Sequence, residues 1–202
     1  MKYHLVKKSL IFVVLAWIGV VSWIVFDRQR TFPVKASIVY HGSKNIELIT
    51  IKSMGIKKQN SQDAPRLYAS PSKAVASVFI VPWDDSWAYF GKFSQEEPYS
   101  FVCGDKNKFF EMDKGGAIYT LDAKSFVWRN KGLRENECWI SQDVVPLDKI
   151  ILKSALDAMI ENGVRVFFVD NETWQKIKKS PDRLNFIRQI VTTQKPFIRS
   201  MK

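Results

Sequence analysis

The stretch Ser9–Phe26 reads SLIFVVLAWIGVVSWIVF and is an almost unbroken apolar run near the start of the chain. At 1.5 Å rise per residue, about 18 helical residues span roughly 27 Å, close to the thickness of a bilayer's hydrocarbon core. No polar face recurs along the run, which argues against an amphipathic helix packed on a soluble core. The sequence therefore predicts a single transmembrane helix at residues 9–26.

A cleaved secretory signal is the alternative interpretation of the same run. Signal peptides have a shorter apolar core, about 7–15 residues, followed by small residues at the cleavage site. Here the run ends in Trp23-Ile24-Val25-Phe26, so bulky side chains stand where a peptidase needs small ones. These features favour an uncleaved signal-anchor in a single-pass membrane protein.

Cations on either side of the run predict its orientation. Three lysines precede it within residues 1–8, whereas two arginines follow it beside Asp27. Because short segments rich in lysine and arginine are retained in the cytoplasm, we expect residues 1–8 to be a cytoplasmic tail. Residues 27–202 are then an exported domain, and the predicted localisation is the cell inner membrane with this domain in the periplasm.

The overall composition is that of a folded, basic protein. Hydrophobic residues make up 46% of the chain and aromatic residues 13%, which excludes an intrinsically disordered chain. The formal net charge is +11 at pH 7. A basic domain beside a membrane favours other envelope proteins, anionic lipid or anionic polymer as partners, although the same charge also serves solubility. Nucleic acid is less favoured, because an exported domain meets it only in specialised transfer systems.

Two cysteines, Cys103 and Cys138, both lie in the predicted exported part. An even number of cysteines in an oxidising compartment predicts a disulfide bond. Closing a loop of about 35 residues would stabilise the fold by roughly 3–4 kcal/mol. Two unpaired buried thiols are the alternative. No metal site is predicted, because His41 is the only histidine after the apolar run.

The order of patterns along the chain predicts an α+β domain, with a β-rich first part followed by C-terminal helices. A polar stretch, residues 56–73, predicts a long exposed loop. Apolar alternation and short apolar runs predict strands, which we expect to form a hairpin, a central strand and then an antiparallel meander. The predicted strands are Val34–His41, Asn45–Ser53, Ala76–Pro82, Tyr99–Cys103, Lys108–Met112, Ala117–Leu121, Ser125–Arg129 and Cys138–Ser141.

Helical periodicity appears in the last quarter of the chain. Four charged residues of Leu147–Asn162 are spaced four apart, namely Lys149, Lys153, Asp157 and Glu161, which predicts an amphipathic helix ended by Gly163. A buried strand, Val164–Val169, is followed by a helix that Asp170 or Asn171 can cap. A final helix opens at Ser180-Pro181, and the apolar face predicted for it carries Leu184, Ile187 and Ile190.

The segment Trp83-Asp84-Asp85-Ser86-Trp87 is the most suggestive candidate ligand cluster. Aromatic side chains beside carboxylates can stack on a sugar ring, and paired acids can cleave a glycosidic bond. Adjacent residues of a strand point to opposite faces, however, which argues against cooperation between Asp84 and Asp85. The simpler interpretation is a turn in which Trp83 and Trp87 pack in the core while the aspartates cap it.

The C-terminal end carries a concentration of positive charge. From Lys176 onward there are eight basic residues and one acidic residue. On two helices these side chains can form an anion-binding face, or they can be an ordinary solvated surface. The candidate anion-binding residues are Lys176, Lys178, Lys179, Arg183 and Arg188.

The sequence contains no recognisable nucleophile–base pair and no phosphate-binding loop, so it predicts no catalytic residue and no cofactor. The predicted function is that of a bitopic membrane protein whose exported domain is a protein-interaction component of a cell-envelope assembly, of the secretion, conjugation or pilus type. Two other functions stay open. One is a membrane-tethered enzyme acting on cell-wall or glycan substrates through Trp83–Trp87, and the other is binding of an anionic polymer or nucleic acid through the basic C-terminal helices.

Overall fold

The computed structural model describes residues 36–54, 65–128 and 136–198. Strands and helices are interspersed along these ranges in an α+β arrangement. The strands are β1 (Ile38–Ser43), β2 (Leu67–Ala69), β3 (Ala88–Gly91), β4 (Ser100–Cys103), β5 (Gly116–Asp122), β6 (Val127–Trp128), β7 (Cys138–Ile140), β8 (Asp148–Leu152) and β9 (Arg165–Phe168). The helices are α1 (Lys73–Val78), α2 (Lys106–Met112), α3 (Ala155–Glu161), α4 (Asn171–Lys179) and α5 (Arg183–Thr193).

The strands form small three-stranded sheets. The first sheet has the antiparallel order β1-β5-β8, and the second has the antiparallel order β2-β7-β6. In the third sheet, β4 pairs antiparallel with β3 and parallel with β9. Tyr40 and Ser70 exchange backbone hydrogen bonds of 2.7 and 3.0 Å, which join the first sheet to the start of the segment after β2.

Strand β5 organises the core because its two faces contact different apolar clusters. Successive side chains of a strand point to opposite faces. Ile118 therefore packs in a cluster with α1 and α3, whereas Tyr119 packs in the cluster between the first and second sheets. The buried Tyr119 hydroxyl donates to Asn45 O at 2.8 Å and accepts from Leu48 N at 3.0 Å. This pair of bonds ties the segment after β1 to the sheet.

Helices α4 and α5 cover the third sheet. Their apolar residues and those of the sheet form a cluster that includes Val102, Phe167, Trp174, Ile177, Ile187 and Ile190. An added Cβ at Gly104 would collide with the Trp174 ring, so the close approach of α4 to the end of β4 requires glycine at this position. The Trp174 Nε1 donates to Ser86 O at 2.8 Å, which also fixes the turn before β3.

The predicted order of elements, with strands first and helices last, is wrong. Lys108–Met112 belongs to helix α2, and the apolar run Ala76–Pro82 begins inside helix α1. A short apolar run does not distinguish a buried strand from a buried helix. At α2 the deciding signal is Asp105, whose side chain accepts from Lys108 N at 2.9 Å and caps the helix. The predicted meander does not form either, because β4, β5 and β7 lie in different sheets.

Two further corrections concern pairing and helix length. The predicted hairpin between Val34–His41 and Asn45–Ser53 does not form, because Asn45–Ser53 forms only an isolated bridge at Ile51 and the sheet partner of β1 is β5. The predicted helix Leu147–Asn162 contains strand β8 in its first part, and α3 begins only at Ala155. Gly163, with φ of +81°, follows the C-cap of α3 as predicted. The cap at Asp170 is likewise confirmed, since its side chain accepts from Thr173 N at 2.6 Å.

The predicted transmembrane segment, Ser9–Phe26, lies outside the described residues, as do residues 1–8. Within residues 36–54, 65–128 and 136–198, no helix is long and apolar enough to cross a membrane. The fold predicted from the sequence, a transmembrane helix leading into strands and then helices, is therefore replaced by an α+β domain in which α1, α2 and α3 lie between strands and α4 and α5 follow β9.

Candidate interaction surface

Strand β8 is an edge of the first sheet. It pairs with β5 from Thr120 opposite Asp148 to Gly116 opposite Leu152. Among the described strands none pairs with its other side. An edge of this kind presents a row of backbone N–H and C=O groups that can pair with an additional strand.

Apolar side chains are exposed on both faces of this strand. Ile150 and Ile151 are consecutive, so they point to opposite faces, and they are 41% and 57% exposed. Val145 and Leu147, which lead into the strand, are 66% and 63% exposed. Single exposed apolar residues are ordinary, whereas a group of them marks an interaction site. We call these four residues, together with the outer edge of the strand, the β8 surface.

The lysine of β8 shields the edge only in part. Lysines on edge strands commonly prevent pairing with other chains. Here the Lys149 ammonium donates to Ile46 O at 2.6 Å and lies 3.9 Å from the Glu47 carboxylate. Because the side chain folds back onto its own chain and meets an opposite charge, its protection of the edge is reduced.

The segment that leads into β8 is held in place by the rest of the domain. Ile51 and Val144 exchange backbone hydrogen bonds of 2.8 and 3.0 Å. The Asp143 carboxylate accepts from Lys52 Nζ at 2.7 Å and from Ser53 N at 3.0 Å, and these bonds lower the pKa of Asp143. The β8 surface is thus positioned by the fold before any partner arrives, which reduces the entropy lost on binding.

The predicted ligand cluster Trp83, Asp84, Asp85 and Trp87 forms a turn before β3. Hydrogen bonds from the hydroxyl and the backbone N–H of Ser86 lower the pKa of Asp84, and the backbone bond is 2.8 Å long. Trp87 is buried in the core, and the half-buried Trp83 packs edge-on against Phe101 with ring centroids 5.8 Å apart. These four residues thus form a capped turn beside packed tryptophans.

The predicted disulfide between Cys103 and Cys138 is not present, since both thiols are free and buried. Cys103 lies in β4 of the third sheet, where its neighbours are β3 and β9. Cys138 lies in β7 of the second sheet, between β2 and β6. The two residues belong to different core clusters, which is why the expected proximity of neighbouring meander strands does not arise.

Three of the five predicted anion-binding residues have contacts within the domain. Lys176 lies 2.7 Å from Glu172, whose hydrogen bond and charge raise the pKa of the lysine. The Arg183 guanidinium lies 5.5 Å from the ring centroid of Trp174, and its Nη2 donates to Asp85 O at 3.2 Å. Arg188 lies 5.9 Å from the ring centroid of Phe93.

The other two, Lys178 and Lys179, are exposed in the last turn of α4. No described acidic group forms an ion pair with either ammonium. The structure thus brings the basic residues to the surface of α4 and α5, but it leaves only this adjacent pair without a described contact to its side chain.

His41 is the only histidine in the part of the chain that the structure describes, and its role is structural. Its Nδ1 lies 2.9 Å from Tyr68 O and links β1 to β2, while burial lowers its pKa. Within the same ranges, no group of three or more His, Cys, Asp or Glu side chains could hold a metal ion.

Sequence reasoning misses the β8 surface because the charges of Leu147–Asn162 are spaced as in a helix. The available signal is the consecutive pair Ile150-Ile151 soon after Pro146, which favours a strand. Comparison of the chain with protein families, curated proteins and solved structures finds no match.

Proposed function

We propose that this domain is a protein-interaction component of a cell-envelope assembly, and that it binds an extended segment of a partner protein along β8. The observation that carries the proposal is the edge of β8, which no described strand pairs, with isoleucines exposed on both faces. A segment added to this edge gains backbone hydrogen bonds, while Ile150 and Ile151 supply apolar contacts on either side. Assemblies of the secretion, conjugation or pilus type join proteins in this way and are the proposed setting.

The envelope setting rests on the sequence. The apolar run Ser9–Phe26 and its flanking lysines predict attachment at the cell inner membrane with this domain on the periplasmic side. That localisation stays a prediction, because the run lies outside the described residues. Action on a glycan substrate has less support, since Asp84 is engaged in a turn and the Trp87 ring is buried.

Site-specific photocrosslinking tests the proposal. With the photoreactive residue benzoylphenylalanine at Ile151 of the full chain, we expect a discrete adduct with a second envelope protein in the cells from which the chain comes. Leu184 on α5 is the matched control, because it is 58% exposed whereas Ile151 is 57% exposed. A probe at Leu184 should give no such adduct.

A substitution in β8 separates binding from folding. Ile151→Lys places a charge where the partner would pack, so it should abolish the adduct formed by a probe at Leu147. Because Ile151 is exposed, the melting temperature should change by no more than about 2 °C. An adduct made only of two copies of this chain would replace the partner with self-association, and equal crosslinking at Leu184 and Ile151 would contradict the proposal.

A further inference from the structure

A cleft of about 240 Å³ lies where α2, the start of α3 and the segment after α5 meet. Its lining consists of Phe110, Asp113, Ser154, Leu156 and Phe197. One part of this lining is aromatic and aliphatic, and the other part is polar. A concave site with apolar walls and few polar groups is the usual form of a small-molecule site.

The aromatic part of the cleft belongs to a cluster of three phenylalanines. Phe110 and Phe168 stack with ring centroids 5.5 Å apart, and Phe168 meets Phe197 edge-on at 5.4 Å. Phe197 is held beside β9 by a hydrogen bond of 2.6 Å from its N–H to Val166 O. Phe110 is 42% exposed, so part of its ring is available to a ligand.

A cation stands beside the same rings. The Lys106 ammonium lies 6.0, 5.6 and 5.9 Å from the ring centroids of Phe110, Phe168 and Phe197. Contacts of this kind orient a cation without neutralising its charge. Lys106 is exposed, and no carboxylate among the described residues pairs with it. Its three N–H donors are therefore available to an anion.

Asp113 is the charged residue in the lining of the cleft, whereas Lys106 lies beside the lining rings of Phe110 and Phe197, and the Asp113 carboxylate is already hydrogen-bonded. Asp113 Oδ1 accepts from Ala155 N at 2.6 Å, and Oδ2 accepts from Ser154 Oγ at 2.9 Å and Leu156 N at 3.1 Å. These bonds spread the negative charge over the first turn of α3. Lys106 therefore sets the charge preference at the aromatic end of the cleft.

We propose that this cleft binds an aromatic carboxylate, with its ring against Phe110, Phe197 and Leu156 and its carboxylate on Lys106. An apolar cavity of about 150 Å³ takes a benzene ring. The larger volume here, about 240 Å³, accommodates one ring with a short acidic substituent. Two sources share this chemistry, namely a free aromatic acid and the C-terminal phenylalanine of a polypeptide.

Ligand-observed NMR and calorimetry on the full chain test the proposal with 3-phenylpropanoate as the probe. We expect a dissociation constant of about 1 mM or below, which is ordinary for a ligand of this size. The neutral 3-phenylpropan-1-ol and the cationic 3-phenylpropylamine should each bind at least about fivefold more weakly, because only the carboxylate gains the contact with the ammonium.

Variants assign the charge preference to one residue. Lys106→Gln should weaken the binding of 3-phenylpropanoate about fivefold and leave the binding of the alcohol unchanged. A purely structural role of Lys106 would not produce this difference. Phe197→Leu should weaken the binding of all three ligands. Near-ultraviolet circular dichroism checks that this variant folds. Lys108→Gln is the matched control: this lysine is also on α2, but its ammonium lies over the Trp87 ring, 4.9 Å from the centroid, whereas that of Lys106 lies beside the cleft rings of Phe110 and Phe197.

A peptide ending in phenylalanine separates the two sources. Tighter binding of the free-acid peptide than of 3-phenylpropanoate, lost on C-terminal amidation, assigns the site to a polypeptide end, and the reverse order assigns it to a free acid. The proposal is overturned if 3-phenylpropanoate does not bind, or if the acid, alcohol and amine bind equally. It is also overturned if Lys106→Gln binds the acid as well as the unaltered chain does.

Discussion

Cys103 and Cys138 are each completely buried, and Cys138 donates from Sγ to Ala69 O at 3.3 Å. Burial, as the largest cause, raises the pKa of each thiol to about 12. Thiolates, and not thiols, react with disulfides and alkylating agents. The number of cysteines in the sequence suggests a disulfide bond, whereas in the fold both cysteines are unreactive side chains of the core.

We expect Ellman's reagent to find no reactive thiol in the native chain at neutral pH and both thiols after denaturation. The unfolded chain releases these protons near pH 9.0, whereas the folded chain holds them to about 12. Their contribution to stability is therefore complete below pH 9.0 and is lost as the pH rises through that window. A denatured, unreduced chain without reactive thiols would restore the disulfide.

Two helix ends are predicted correctly from signals that lie close to them in the sequence. Asp170 caps α4, and Gly163 follows α3, because each signal acts within one helical turn. The start of α3 is missed although its signal is present, since the Ser154 side chain accepts from Asp157 N at 3.2 Å. The four-residue spacing of charges extends upstream of that cap, so periodicity alone places the helix start too early.

Sites assembled from distant segments are not predictable from the sequence. Lys106 and Phe110 are four residues apart on α2, which is a visible helical pair. Phe168 and Phe197 join them only because β9 pairs with β4 and the segment after α5 returns to β9. The contacts that create the cleft are therefore consequences of sheet order, which local patterns did not reveal.

Asp113 couples two elements, since it lies after α2 and caps the start of α3. Asp113→Asn should lower the free energy of unfolding by about 1–3 kcal/mol, because the amide can accept hydrogen bonds through only one of its two terminal atoms. Asp105→Asn is the matched control. The carboxylate of Asp105 accepts from one helix N–H, and asparagine caps as well as aspartate, so a change of only a few tenths of a kcal/mol is expected.

Urea denaturation of both variants measures these values. Equal losses for Asp113→Asn and Asp105→Asn would show that Asp113 is an ordinary cap and does not couple α2 to α3.

Across the whole molecule the formal net charge is +11. Among the described residues, some of the cations have contacts within the domain and others have none. Some cations pack on aromatic rings, as Arg183 does on Trp174. Others extend into solvent, as Lys178 and Lys179 do at the end of α4. A surface that binds an anionic partner needs cations that extend into solvent. A cation that packs on an aromatic ring of its own domain cannot move to a ligand without breaking that contact.

Anion binding by α4 and α5 can therefore be tested by comparing variants of the exposed lysines with a variant of a cation that packs on an aromatic ring. Lys178→Gln with Lys179→Gln should leave the melting temperature nearly unchanged, because neutral side chains place no negative charge in the last turn of α4, and it should shift elution of the full chain from a polyanion column to lower salt. The shift follows because exposed charges act within about 8 Å at physiological ionic strength, so removing the outermost cations weakens the attraction most. Arg183→Glu should instead lower stability by about 1 kcal/mol, since the cation–ring contact with Trp174 is lost. The same elution for the unaltered chain and the Lys178/Lys179 double variant would identify the end of α4 as ordinary solvated surface.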